Sequence, residues 1–406
     1  MNLGEKILEM FIDLPLKDKE IMLFVNREKE LRKMENTGRF MHSSIYGIAG
    51  ETGSGKTTLF NLLKFPDKEM EKIIIPISEK ETKEAIIADL LYKLCDKVIQ
   101  NKQFSDSSNY AKETIDFLDQ EEVKSREKGI KIGKIIEGES KWAAQAKERY
   151  NLTSIKNRLK KVIHSLTSGS KIVLCIDEID KERKGDVIVI LDSLKDILRS
   201  KNLLTFFALP QVMYKEYIAD KYRFFKEENL ENILKDVIPV TKMSDNDIKE
   251  MLNRRTREFP EILPRNVRDM VIELSDGSPR EALLICQNTI LSKEIGKSCS
   301  KQDFILSTDE IKNEVENFLD VWVDSLKLTN REEEVVQIIS HERILSRRGL
   351  TKMVLENSKI VRSTLFRIIE NLVEKKILFP IRAEKYEINR KLLLYYKYFS
   401  PAKLAK

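Results

Sequence analysis

Eight residues, Gly50, Glu51, Thr52, Gly53, Ser54, Gly55, Lys56 and Thr57, restrict the fold of this chain more than any other feature. They make the pattern GxxxxGKT, preceded by an apolar run (SSIYGI, 43–48) and followed by a helical one (TTLFNLL, 57–63). Glycines let such a loop curl until its amides point at phosphate oxygens, and the positive end of the following helix adds to the attraction. In that geometry Lys56 reaches the β- and γ-phosphates of a nucleoside triphosphate, and the Thr57 hydroxyl enters a Mg2+ shell, with Thr58 next to it. The motif needs a strand–loop–helix unit, so it predicts an α/β core: a parallel sheet with helices on both faces.

A second signal answers the first about 120 residues later. IVLCIDEID (172–180) is an apolar strand that ends in acids. Asp177 is the candidate for the metal side of the site and Glu178 for polarising the attacking water. An apolar strand ending in acids is common by itself, since strand ends face solvent. Behind a P-loop, it favours ATP hydrolysis over binding alone.

Between and after these motifs, strand and helix patterns alternate. Strands are predicted at 44–48, 72–78, 172–176 and 203–209, with Pro76 placing the second at an edge or breaking its pairing locally. Helices are predicted over 56–64, 79–100 (Ile87, Leu91, Leu94 and Val98 inward), around Leu159–Leu166 and over 185–199. Residues 101–150 read as a polar insertion with a hairpin at 129–138. After about residue 240 the strand signals stop, and an all-helical lid follows, its first helix capped by Ser244. The domain reading is therefore 1–240 for the core, 241–308 for the lid and 309–406 for a last module.

That last module is basic. Residues 326–406 hold 18 lysines and arginines against 9 acids, while the whole chain of 406 residues carries a net charge of +6. A polyanionic partner suits this end of the chain, although a solvated lysine-rich surface has the same composition. Three helical patterns and then ILFPIRAEKYEIN (377–389), read as strand, basic turn and strand, resemble a winged helix-turn-helix. The third helix docks through Val361, Leu365, Ile368 and Leu372. On that reading Ser363 and Arg367 approach the bases or phosphates of duplex DNA, and Arg347, Arg348, Arg382 and Lys385 approach its backbone. Glu370 shares the outward face, which keeps a protein-docking use of the module open.

Composition excludes other chemistries. Four scattered cysteines without a CxxC pair suit reduced core thiols, and three dispersed histidines make no metal centre. No apolar run approaches the roughly 20 residues of a membrane span, and Glu5 and Glu9 interrupt the start where a secretion signal would be apolar, so a cytoplasmic protein without a membrane partner is expected.

Together VNREKEL (25–31), the P-loop, IDEID (176–180) and GSPREAL (277–283) resemble the AAA+ ATPases. The branch is the archaeal and eukaryotic replication-initiator (origin-recognition) group, with its STAND and archaeal P-loop relatives. The resemblance spans essentially the whole chain and implies an ATPase working as an oligomer. It implies that Val25 and Arg27 lie near adenine and that Arg280 is the sensor-2 arginine reaching the γ-phosphate. It also implies that Arg223, in ADKYRFF, acts as an arginine finger on a neighbouring subunit. One position departs from the family: the polar sensor-1 residue at the end of the fourth strand is replaced by Ala208-Leu209-Pro210, with Gln211 a weak substitute. Slow hydrolysis, and a switch more than a motor, follows from that. Two readings result: an ATP-controlled switch assembling on DNA, of initiator, loader or mobile-element regulator type, or a STAND-type signalling or defence ATPase whose last module meets a protein effector.

Overall fold

The computed structural model describes residues 2–65, 70–77, 82–132, 151–179, 184–221, 230–293, 300–381 and 384–399. They divide into two compact units, Pro15–Lys242 and Met1–Leu14 with Met243–Lys406. The chain opens with α1 (Leu3–Met10), which belongs to the second unit; Asn2 and Glu5 form its capping box.

In the first unit, α2 (Glu28–Phe40) leads to β1 (Ser44–Gly50), α3 (Lys56–Leu62) and β2 (Met70–Pro76). Next come α4 (Lys83–Gln100), α5 (Ser105–Ile132), α6 (Leu152–Thr167) and β3 (Lys171–Asp177). Then α7 (Lys184–Leu198), β4 (Leu203–Pro210), α8 (Gln211–Lys221), α9 (Leu230–Ile233) and β5 (Asp236–Val240) complete it. The strands form one parallel sheet in the order β2-β3-β4-β1-β5. β2 is an edge strand, as Pro76 requires of it, because proline has no amide to give to a further neighbour.

Strands buried on both faces explain the unbroken apolar runs. Ile172, Leu174 and Ile176 of β3 point into the core shared with α4–α8, together with Leu203, Phe207 and Leu209 of β4. The alternate residues Val173, Cys175, Leu204, Phe206 and Ala208 point the other way, with Tyr46, Ile48, Leu59 and Phe60. Phe206 is fully buried and its ring lies 5.8 Å from that of Tyr46. Phe206→Ala is expected to lower unfolding stability by about 3–5 kcal/mol, read from urea denaturation. The thiols of Cys95, Cys175 and Cys286 are free and buried, and burial pushes that of Cys95 up to about 12.

The expected hairpin at 129–138 is corrected by α5, one helix through Ile132. Phe104, Ser107, Ala111, Thr114 and Leu118 are buried at helical spacing, so this segment packs by one face where its composition suggested a solvated loop. Residues 133–150 lie outside the described ones.

The second unit is helical through α10 (Asp245–Arg255), α11 (Arg265–Leu274), α12 (Pro279–Leu291) and α13 (Thr308–Ser325). Ser244 caps α10 in a capping box with Asp247, Ser278 caps α12 with Pro279 behind it, and Ser307 caps α13. The basic end follows as α14 (Asn330–Ile339), β6 (Ile344–Ser346), α15 (Arg347–Asn357), α16 (Arg362–Glu374), β7 (Leu378–Ile381), β8 (Lys385–Ile388) and α17 (Arg390–Tyr398). Its sheet is antiparallel in the order β6-β8-β7. α16 docks through Leu365, Ile368, Ile369 and Leu372. Val361 does not join them: it is the extended residue before the first turn and is 63% exposed.

Candidate nucleotide site

The carboxyl ends of parallel strands are where ligands bind open α/β sheets. Here that edge collects Gly50 of β1, Asp177 of β3, Pro210 of β4 and Val240 of β5. Because β4 lies between β1 and β3, the P-loop and the acidic pair stand two strands apart, roughly 9–10 Å.

Three glycines shape the loop. Gly53 and Gly55 have φ of +79° and +98°, conformations that side chains resist. A Cβ on Gly50 would lie 2.6 Å from Ser54 Oγ and 2.7 Å from the Val240 carbonyl, so only glycine closes the loop against β5. The Ser54 amide donates to the Glu51 carbonyl. Ser54 is buried, and its Oγ has no hydrogen-bond partner among the described residues. Lys56 is 5% exposed, and its ammonium donates to the carbonyls of Gly50 and Glu51 at 2.8 Å each. A buried cation, an orphaned hydroxyl and a loop of amides suit a phosphate chain. Thr57 lies half-buried on the first turn of α3, while Glu51 and Thr52 are exposed. Thr58 accepts a hydrogen bond from the Leu16 amide at 3.2 Å, which ties the segment before α2 to α3.

Asp177 is 3% exposed at the end of β3, and its Oδ1 accepts from the Glu178 amide at 2.9 Å. Glu178 has φ +65°, a left-handed conformation costing about 1–2 kcal/mol for a non-glycine residue. Such strain gathers at functional turns. Carboxylate and hydroxyl oxygens on Asp177 and Thr57 are the donors a hard divalent cation such as Mg2+ takes. Between the two half-sites, Ala208 and Leu209 are fully buried, and Gln211 opens α8 half-buried.

The remaining candidates fall in different places. Val25 is buried. Arg27 is buried too, pairing with Glu30 at 3.2 Å and donating to the Thr241 carbonyl, so its guanidinium holds α2 against the end of β5. Arg280 stands on the first turn of α12 and pairs with Asp13. Arg255 donates to the carbonyls of Met10 and Ile12, which fastens the same N-terminal arm. Arg223 and Arg382 lie outside the described residues. Arg347, Arg348, Ser363, Arg367 and Lys385 are all exposed.

Two residues at the basic end, Arg362 and Phe366, escaped the sequence reading. The guanidinium carbons of Arg347 and Arg362 lie 5.2 and 5.8 Å from the ring centre of Phe366, within cation–π reach. The i,i+4 spacing of Arg362 and Phe366 carried half of that signal.

The sequence profile of the KAP family P-loop domain matches residues 29–339. The chain belongs to the KAP family. In this KAP chain the match runs from α2 into α14 and so includes the P-loop, the Asp177–Glu178 turn and the helices that follow. The family and the parallel P-loop fold imply nucleotide binding. Among solved structures, a Walker-type ATPase of Pyrococcus abyssi is similar at 14% identity and a TM-score of 0.52, covering 96% of this chain and 99% of its own. The ORC2 protein of Aeropyrum pernix, in ADPNP–ADP complexes, has 11% identity, a TM-score of 0.48, and 98% coverage of each chain. The Thermotoga maritima RuvB Holliday junction branch migration motor has 14% identity and a TM-score of 0.40, with 96% and 99% covered. At these identities the likeness is one of fold, and it is the Pyrococcus structure that carries it. The chain matches no curated protein. No helix among the described residues is long and apolar enough to cross a membrane.

Proposed function

We propose that this KAP-family chain is an ATP-hydrolysing switch that assembles on DNA through its basic C-terminal module. The observation that carries the nucleotide half is the pairing of a glycine-shaped loop around buried Lys56 with the Asp177–Glu178 turn two strands away. Lys56 and the amides of Gly53–Thr57 bind and orient the triphosphate, and Ser54 Oγ gains a phosphate partner. Thr57 and Asp177 would hold Mg2+, which when bound neutralises charge on the β- and γ-phosphates. Glu178 orients water and takes its proton. Arg280 takes the sensor-2 role toward the γ-phosphate that the resemblance implies. Arg223 of one subunit acts on its neighbour in an oligomer. Val25 and the backbone near Arg27 face adenine. Calorimetry with Mg–ATP and assay of phosphate release test this half; heat of binding without turnover would leave a binding protein only.

For the other half, α14–α16 with β6–β8 act as a winged helix-turn-helix. Ser363 and Arg367 on α16 reach the duplex, with Arg347, Arg348, Arg382 and Lys385 on its backbone; Arg362 joins them through its contact with Phe366. Duplex binding should weaken steeply with salt, and Arg362→Gln should flatten the slope of log K against log salt by about one. Arg367→Ala should weaken binding, and unchanged affinity removes Arg367 from the interface. A second reading has its own support: Val361, Ile344 and Phe379 are apolar and exposed on this module at 63%, 48% and 39%. They favour a STAND-like use in which a protein effector docks there, and absence of duplex affinity at modest salt would select it.

A further inference from the structure

α3 carries the phosphate-binding residues at its start, yet it has only seven residues and ends at Leu62. A helix of two turns does not hold itself together in water, and the carbonyls of its last turn have no helical amides to accept from. Lys72, on the edge strand β2, supplies what is missing. Its ammonium donates to the carbonyls of Phe60 at 2.9 Å, Asn61 at 2.8 Å and Leu63 at 2.7 Å. A cation at this end also complements the helix dipole, whose positive end faces the phosphates. Burial lowers the pKa of Lys72, a cost that a surface lysine escapes and that the three carbonyls offset.

Anchoring β2 does not explain the arrangement, because β2 is already paired with β3 from Met70 to Pro76. Nor is α3 held from this end alone. Asn61 donates to the Leu16 carbonyl at 3.1 Å and Thr58 accepts from the Leu16 amide at 3.2 Å. Each of these contacts fixes how α3 lies, and therefore where Lys56 and Thr57 stand.

We propose that Lys72 is a positioning residue for the triphosphate: by capping α3 it sets the aim of Lys56, Thr57 and the loop amides. The proposal rests on the nucleotide reading above. Lys72→Met keeps the length and apolar stem of the side chain and removes its donors. It is expected to raise the Kd and KM for Mg–ATP about tenfold or more and to leave kcat within about threefold, since Glu178 lies in the turn after β3 and not on α3. Lys72→Arg, which keeps charge and donors, is expected to recover most of the affinity. Where Lys72→Met does not fold, Lys72→Gln retains an amide donor and is expected to fall between the two. A lowered unfolding midpoint with unchanged Mg–ATP affinity in a folded variant reduces Lys72 to a helix cap and overturns the proposal. Equal weakening by methionine and arginine overturns it as well. Failure of the wild-type chain to bind Mg–ATP would break the nucleotide reading first, and this inference with it.

Discussion

Lys56→Ala is expected to abolish measurable Mg–ATP binding while leaving the chain folded. The lysine is 5% exposed and is the one cation of the loop from Gly50 to Thr57. Hydrogen bonds to charged groups contribute about 1.5–3 kcal/mol each, so two lost phosphate contacts weaken binding by at least about a hundredfold. In the protein, the same ammonium donates to the carbonyls of Gly50 and Glu51. The bond to the Gly50 carbonyl is buried and that to Glu51 part-buried, so losing their donor costs about 1–3 kcal/mol and the variant's unfolding midpoint should fall without loss of the fold. Calorimetry beside thermal unfolding separates the two effects. Retention of wild-type affinity in folded Lys56→Ala would mean that this loop is not where the triphosphate binds.

The strands and the P-loop were legible in the sequence because their signals are local. Gly53 and Gly55 stand in the left-handed backbone that the motif implies, and the runs before Gly50 and Asp177 became strands of one parallel sheet with β4 between them. Pro76 left an edge strand or a local break in pairing, for a reason that involves only its own missing amide, and β2 took the edge. What stayed hidden depends on long-range pairing. Nothing in KIIIPIS indicates that Lys72 turns back onto the end of α3, because that contact exists only once β2 lies beside it. The same holds for Arg27, whose partner Thr241 lies 214 residues away, and for Arg280, which meets Asp13 across 267. α5 was misread for a different reason. It is a mostly polar helix packed by one narrow stripe, and its two nearby glycines, Gly129 and Gly133, suggested turns where the helix runs on to Ile132.

Glu178→Gln is expected to keep Mg–ATP affinity within about threefold and to lower turnover by about 10²–10⁴-fold. The substitution preserves shape and hydrogen bonding, and the backbone amide at 178 still donates to Asp177, so the carboxylate proposed for the metal side stays where it is. What disappears is the proposed base. A general base matters most when little else lowers the barrier, and β4 contributes only Ala208 and Leu209 beside Asp177, with Gln211 beyond Pro210. Wild-type turnover should therefore be slow enough to follow in a single-turnover experiment, which reports chemistry apart from product release. The φ of +65° at Glu178 adds a constraint: the backbone is strained for either residue, so the exchange does not relieve it, and any loss of rate belongs to the carboxylate. Equal phosphate release from the two proteins would show that the acid at the end of β3 is a bystander, leaving the loop around Lys56 to bind ATP without spending it.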